Sequence, residues 1–212
     1  MNTRSIACLM VLMLSWPEIG QADHSPFLEQ ARGVKAAEGN RLVKLARQTL
    51  VGAVERGELD PTIEPREKPS VAPFGVFVTL VKNGHVRGCY GSMEPRGKTL
   101  DELVVEGAIG AARFDPRTRP LGPAELHQVQ IIVSIVGPRV PVLTMTEVDP
   151  KTHGLLVRNG DRTSVLLPGE AKTASWQLKR SLRQAGIRRG DPREMFRFRT
   201  VTIYERVGGE GK

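Results

Sequence analysis

Cysteine is nearly absent from this chain: Cys8 and Cys89 are the two that occur in 212 residues. Cys8 falls in an N-terminal segment that is expected to be removed, which leaves Cys89 alone and excludes an intrachain disulfide framework. Metal-ligand spacing is also missing. The four histidines (24, 85, 127 and 153) show neither His-x3-His nor Glu-x-x-His spacing, and there is no Cys-x-x-Cys pair. No metal site is therefore expected. The chain has no phosphate-cradling glycine loop, no dinucleotide fingerprint and no Gly-x-Ser-x-Gly elbow, so no cofactor is expected either. Low-complexity tracts and internal repeats are absent. The fold must be specified by packing.

What is present begins with a distinct N-terminus. Arg4 precedes an uncharged run of eleven residues, Ile6 to Trp16. That run is too short to span a bilayer and the right length for a signal-peptide core. Gly20-Gln21-Ala22 places small residues where a signal peptidase reads them. The expectation is a signal peptide over 1–22, cleaved after Ala22, and an extracytoplasmic protein, periplasmic or secreted, over 23–212. Cys8 lies too early in the run to serve as a lipoprotein acceptor. Removal takes one cation (Arg4) and one anion (Glu18), so the net charge stays at +8.

Apolar residues Leu42, Leu45, Ala46, Thr49, Leu50 and Ala53 recur at helical spacing. They predict one long helix from Phe27 to about Arg56, with an interruption near Gly33 or Gly39. Residues 57–73 hold four prolines among charges and read as an extended connector. Asn83-Gly84 between alternating runs predicts a type I′ hairpin. A two-residue loop sets Lys82 opposite His85, Leu80 opposite Arg87 and Val78 opposite Cys89. His85, Arg87 and Cys89 then share a face, with Arg87 about 7 Å from the sulfur unless a glycine bulges.

Thr99-x-x-Glu102 is a capping box that opens a helix through about Arg113. A short helix near Ala124–Leu126 and a strand over Val129–Val136 follow. A second hairpin turns around Asn159-Gly160, a helix runs from Ala174 to Ala185, and Phe198–Tyr204 forms a closing strand. Helices interleave with hairpins, which predicts an α+β fold with a largely antiparallel sheet and flanking helices.

The run Phe77-Val-Thr-Leu…Val86-Arg-Gly-Cys-Tyr-Gly91 resembles the signature of the AMMECR domain family. Ala111-Ala-Arg-Phe-Asp-Pro116, Pro123-x-Glu-Leu126, His153-Gly-Leu155, Leu166-Leu-Pro168 and Trp176 follow in the family's order. The likeness covers about residues 37–206 of a single domain. It implies two lobes that share a groove near the Arg-Gly-Cys segment. In prokaryotes it implies Memo-type and radical-SAM partners, from which an exported chain would be separated, because oxygen-sensitive clusters work in the cytosol. The family's activity is unsettled, so the resemblance implies a site without a reaction.

Cys89 is the leading candidate for chemistry, either as a thiolate favoured by a nearby cation or as a buried packing residue. Whether the chain is a thiol-dependent enzyme stays open. His153 is the candidate general base. Arg87, Gly88, Gly91, Arg113, Asp115 and Glu125 form the candidate binding set for a small anionic molecule, the arginines acting as a clamp. A second reading is a non-catalytic binding protein. Eight Lys/Arg against Asp191 and Glu194 crowd residues 179–199, a patch suited to an anionic partner or membrane surface. For an exported chain, nucleic acid is the less accessible partner.

Overall fold

The computed structural model describes residues 26–61, 72 and 74–206. The expected signal peptide and most of the proline-rich connector lie outside them. Helix α1 (Pro26–Val51) is continuous and ends in a π turn, Gly52–Arg56, closed by Gly57 at φ 71°. The expected break does not occur. At Gly39 the missing side chain lets Ile203 approach to 3.2 Å from where a Cβ would stand, so this glycine serves close packing. Leu42, Ala46 and Leu50 are fully buried along one face, as their spacing demands.

Strands β1 (Gly75–Lys82) and β2 (His85–Ser92) form the first hairpin. Helix α2 (Leu100–Arg113) opens with the capping box: Glu102 N–H donates to Thr99 Oγ1 and Thr99 N–H to the Glu102 carboxylate. Its glycines let it lie flat on the hairpin, with Gly107 against Val78 and Gly110 against the Tyr90 ring. A 3-10 turn (Pro123–Gln128) leads to β3 (Gln130–Val136). Then come β4 (Val140–Pro141), a second 3-10 turn (Met145–Glu147), β5 (Gly154–Asn159) and β6 (Arg162–Leu166). Helix α3 (Ala174–Ala185) stops at Gly186, which sits at φ 65°. The closing strands are β7 (Glu194–Phe198) and β8 (Thr200–Tyr204).

The expected α+β class holds, and the strands form two four-stranded sheets, ordered β2-β1-β3-β8 and β4-β7-β5-β6. All their pairings are antiparallel. The expected closing strand is in fact two: the chain leaves the second sheet after Phe198 and enters the first at Thr200. The second hairpin turns one residue later than expected, because Asn159 pairs with Arg162 and the loop is Gly160-Asp161.

Val76, Val78, Leu80, Ile131, Val133 and Ile135 turn one face of the first sheet onto α1 and α2, building the core of the larger lobe. Each such side chain contributes ~1.5–3 kcal/mol by leaving water. The smaller lobe packs Leu155 and Val157 under α3 through Leu182 and Ala185. A third cluster joins the lobes: Val136, Leu156, Leu167 and Phe198, with Phe77, Cys89 and Met93 against them. Cys89 thus lies on the sheet face opposite the helices, where the two lobes meet.

Candidate functional site

The hairpin turn forms as expected, with Asn83 at φ 52° and Gly84 at φ 75°, both positive as a type I′ turn requires. Lys82 pairs with His85 and Val81 with Val86, but Leu80 then pairs with Gly88 and Thr79 with Cys89. Arg87 is the extra residue of a bulge. One inserted residue exchanges the faces of everything after it, because side chains alternate with a period of two. The expected pairings of Leu80 with Arg87 and Val78 with Cys89 are therefore corrected, and so is the shared face.

The bulge separates the predicted site residues. Gly88 faces the helices, where a Cβ would come within 2.2 Å of the Ala111 carbonyl oxygen. Arg87 is held elsewhere by Glu125, at 2.9 and 3.0 Å, and donates to the carbonyls of Arg119 and Pro120. Lys82 joins the same carboxylate at 3.0 Å. Bonds from Arg87, then from Lys82, pull the Glu125 carboxyl down to about 2. Arg113 gives Nε and Nη2 to the Ala53 carbonyl, at 3.1 and 2.7 Å, closing the π turn after α1. An Arg87–Arg113 clamp for an anion is not formed.

Asp115 is the member of the set that does meet Cys89. Strand β2 is a sheet edge, so the Cys89 N–H points off the sheet and needs an acceptor. Asp115 Oδ2 supplies it at 2.8 Å. The same carboxylate takes Arg117 three times: N–H at 3.0 Å, Nε at 2.9 Å and Nη2 at 2.7 Å. Burial alone would raise the Asp115 carboxyl, but the bonds from Arg117 and the two backbone N–H groups hold it below its ordinary value. The cation beside the thiol is thus Arg117, two residues past Asp115 in a turn that the sequence reading passed over.

Around this pair lies a groove of about 300 Å³ between the lobes, lined by Phe77, Cys89, Gly91, Asp115 and Arg117 from the larger lobe. The smaller lobe contributes Ser164, Val165, Leu167, Glu170 and Gln184. Gly91 lines it, yet a Cβ there would meet the Val76 carbonyl oxygen at 2.1 Å, so its smallness serves strand packing. Arg87, Gly88, Arg113, Glu125 and His153 are not among the lining residues. His153 is buried in the loop before β5; its Nδ1 accepts from Asp149 N–H at 3.2 Å and its carbonyl from Gln177 Nε2 at 3.1 Å.

Burial pushes the Cys89 thiol up to about 11, against a smaller opposing effect from the Thr79 Oγ1–H donated to the sulfur at 3.3 Å. Glu170 raises it further, while the charge of Arg117 is largely committed to Asp115. Glu170 itself is raised by burial, with one backbone donor, Leu167 N–H, at 3.3 Å.

Residues 43–206, which include every strand of both lobes and every groove-lining residue, match the family model AMMECR1. The chain belongs to the AMMECR1 family. A Thermotoga maritima protein is 37% identical over 171 residues, covering 77% of this chain and 96% of its own. A Methanopyrus kandleri protein is 36% identical over 180 residues, with coverages of 79% and 84%. The crystal structure of an uncharacterised Pyrococcus horikoshii protein shares the fold: TM-score 0.67 at 24% identity, covering 79% of this chain and 91% of that one.

Within this AMMECR1-family chain, five polar residues at the junction escaped the sequence reading: Thr79, Arg117, Ser164, Glu170 and Gln184. Asp115-Pro-Arg117 carried a usable signal, since an aspartate at a helix exit often accepts the N–H two residues on. Pro168-Gly-Glu170 reads only as a turn, and nothing local ties Glu170 to a thiol 81 positions earlier.

Proposed function

We propose that this AMMECR1-family protein binds a small molecule in the inter-lobe groove, with Cys89 as a neutral wall of the site. The observation that carries the reading is convergence. Cys89, Asp115 and Arg117 from one lobe meet Ser164, Glu170 and Gln184 from the other around one concave, part-apolar space, the usual form of a small-ligand site. A thiol raised to about 11 is protonated at neutral pH and is poorly suited to nucleophilic work. That supports binding over thiol-dependent catalysis.

The test is a titration of the purified protein with a small-fragment library, followed by amide chemical shifts. Shifts gathered on Cys89, Arg117, Ser164 and Glu170 support the reading. Hits confined to other surfaces sink it.

A second reading is favoured by the outward row Lys172, Lys179, Arg183, Arg188 and Arg189, all exposed on or beside α3. It is peripheral attachment to an anionic membrane surface. Arg193 and Arg197 add little to it, since both donate to backbone carbonyls. Vesicles with and without anionic lipid, compared at two salt concentrations, separate this reading from groove binding.

A further inference from the structure

We infer that the ligand of the inter-lobe groove is a small cation with an apolar body, and that Glu170 receives its charged end. This rests on the groove reading above and names the chemistry of that same site.

Asp115 and Arg117 are both ionic, but they satisfy each other through a paired Nε and Nη2 contact, and the remaining acceptor capacity of Asp115 goes to two backbone N–H groups. To an incoming molecule the pair is close to neutral. An anion that sought Arg117 would have to compete with a buried carboxylate already in place. The arginines that suggested an anion from the sequence, Arg87 and Arg113, are engaged outside the groove.

Glu170 differs. Its carboxylate takes a single long bond from Leu167 N–H, at 3.3 Å. Arg117 and Arg180 act on it across space, yet Nε and Nη2 of Arg117 go to Asp115, and Arg180 lies over the Trp176 ring with its guanidinium carbon 5.1 Å from the ring centre. Among the described groove-lining residues, Glu170 is thus the carboxylate that takes no hydrogen bond from a cationic side chain. Its raised proton affinity is the electrostatic counterpart of that gap: desolvation outweighs what Arg117, Leu167 N–H and Arg180 return.

Place adds to charge. Glu170 also lines a second hollow of about 500 Å³ on the free face of the first sheet, beside Thr79, Ser134 and Thr202. It therefore stands where the two spaces adjoin, and a cation reaches it from either side. Phe77, Val165 and Leu167 supply apolar wall for the rest of the molecule. A planar ammonium- or amidinium-bearing compound satisfies both demands, because it brings donors and charge to Glu170 while its body leaves water.

Benzamidinium and benzoate provide the test, since they have one shape and opposite charge. Amide spectra of the purified protein are titrated with each, and the series is repeated with Glu170→Gln and Glu170→Ala, both checked for unchanged unfolding midpoints. Benzamidinium is expected to shift the amides of Cys89, Ser164 and Glu170, and both variants to weaken it about tenfold, the loss of one charge-assisted hydrogen bond. Benzoate is expected to leave these amides in place. If benzoate binds there more tightly, or if both variants bind benzamidinium like the parent, the cationic assignment is overturned while the groove remains a site. If neither probe moves the groove amides but a neutral fragment does, the assignment again fails alone. If no fragment of any charge moves them, both readings fall together.

Discussion

Asp115 Oδ2 accepts the backbone N–H of Cys89 at 2.8 Å, across 26 positions of sequence. That bond ties the exit of α2 to the edge strand and fixes the level at which the thiol faces the smaller lobe. It also sets the Asp115–Arg117 pair beside the sulfur.

Replacing Asp115 by Ala is expected to destabilise the fold by about 2–4 kcal/mol in urea unfolding, because a buried N–H and a guanidinium lose their acceptor together. The carboxyl titrates lower in the folded chain than in the unfolded one. Its stabilisation is therefore complete above the unfolded value near 4 and fades as pH falls through the folded value below that. An Asp115→Asn variant should lose that part of the acid sensitivity. An unchanged acid limb would show that the Asp115 contacts do not matter energetically.

Iodoacetamide labelling of folded protein should be slow at pH 7 and rise steeply only toward about pH 11, the value to which burial drives the Cys89 thiol. Between the unfolded thiol's value near 8.5 and that point, the folded state holds the proton more tightly, so stability falls as pH rises. Rapid modification at neutral pH would show a thiolate and return catalysis to consideration.

Arg87→Ala is expected to cost about 1–3 kcal/mol through the lost bonds to Glu125 and to the Arg119 and Pro120 carbonyls, with Glu125 left to Lys82. It should leave the pH profile of Cys89 labelling where it was, because the two side chains serve different neighbourhoods. A labelling curve displaced by a full pH unit would restore the arginine–thiol partnership that the sequence suggests.

Two glycines should respond in opposite directions. Gly88→Ala places a Cβ 2.2 Å from a backbone oxygen of α2, which cannot yield cheaply, so a loss of about 3 kcal/mol or more is expected. Gly33 lies exposed within α1 with nothing near its absent side chain, and Gly33→Ala should add about 0.5–1 kcal/mol. Thermal unfolding midpoints of the pair decide both.

We propose that residues 1–22 are cleaved on export: intact mass of the protein expressed with residues 1–212 should show a chain beginning at Asp23, recovered outside the cytoplasm. A cytoplasmic, uncleaved product would refute the signal-peptide reading.

What the sequence by itself determined here is local. Asn83-Gly84 dictated the turn because the two residues tolerate positive φ. Thr99 and Glu102 dictated where α2 begins, and Gly186 where α3 ends. Each needs only a few neighbouring residues to act. Tertiary structure decided the rest. A single inserted residue at Arg87 reversed the faces of β2, and alternation in the sequence reads equally well in either register until β1 is paired. Between Glu194 and Tyr204 the apolar positions change phase after Phe198, from Phe196 and Phe198 to Val201 and Ile203, but only the docking of two separate sheets shows that the phase change is a cut at Arg199. Which charge meets which group depended on contacts between distant segments: Arg117 and Glu170 stand by the thiol, while Arg87 does not. Local rules could place the cysteine on a hairpin, but its partners follow from how the two lobes close on each other.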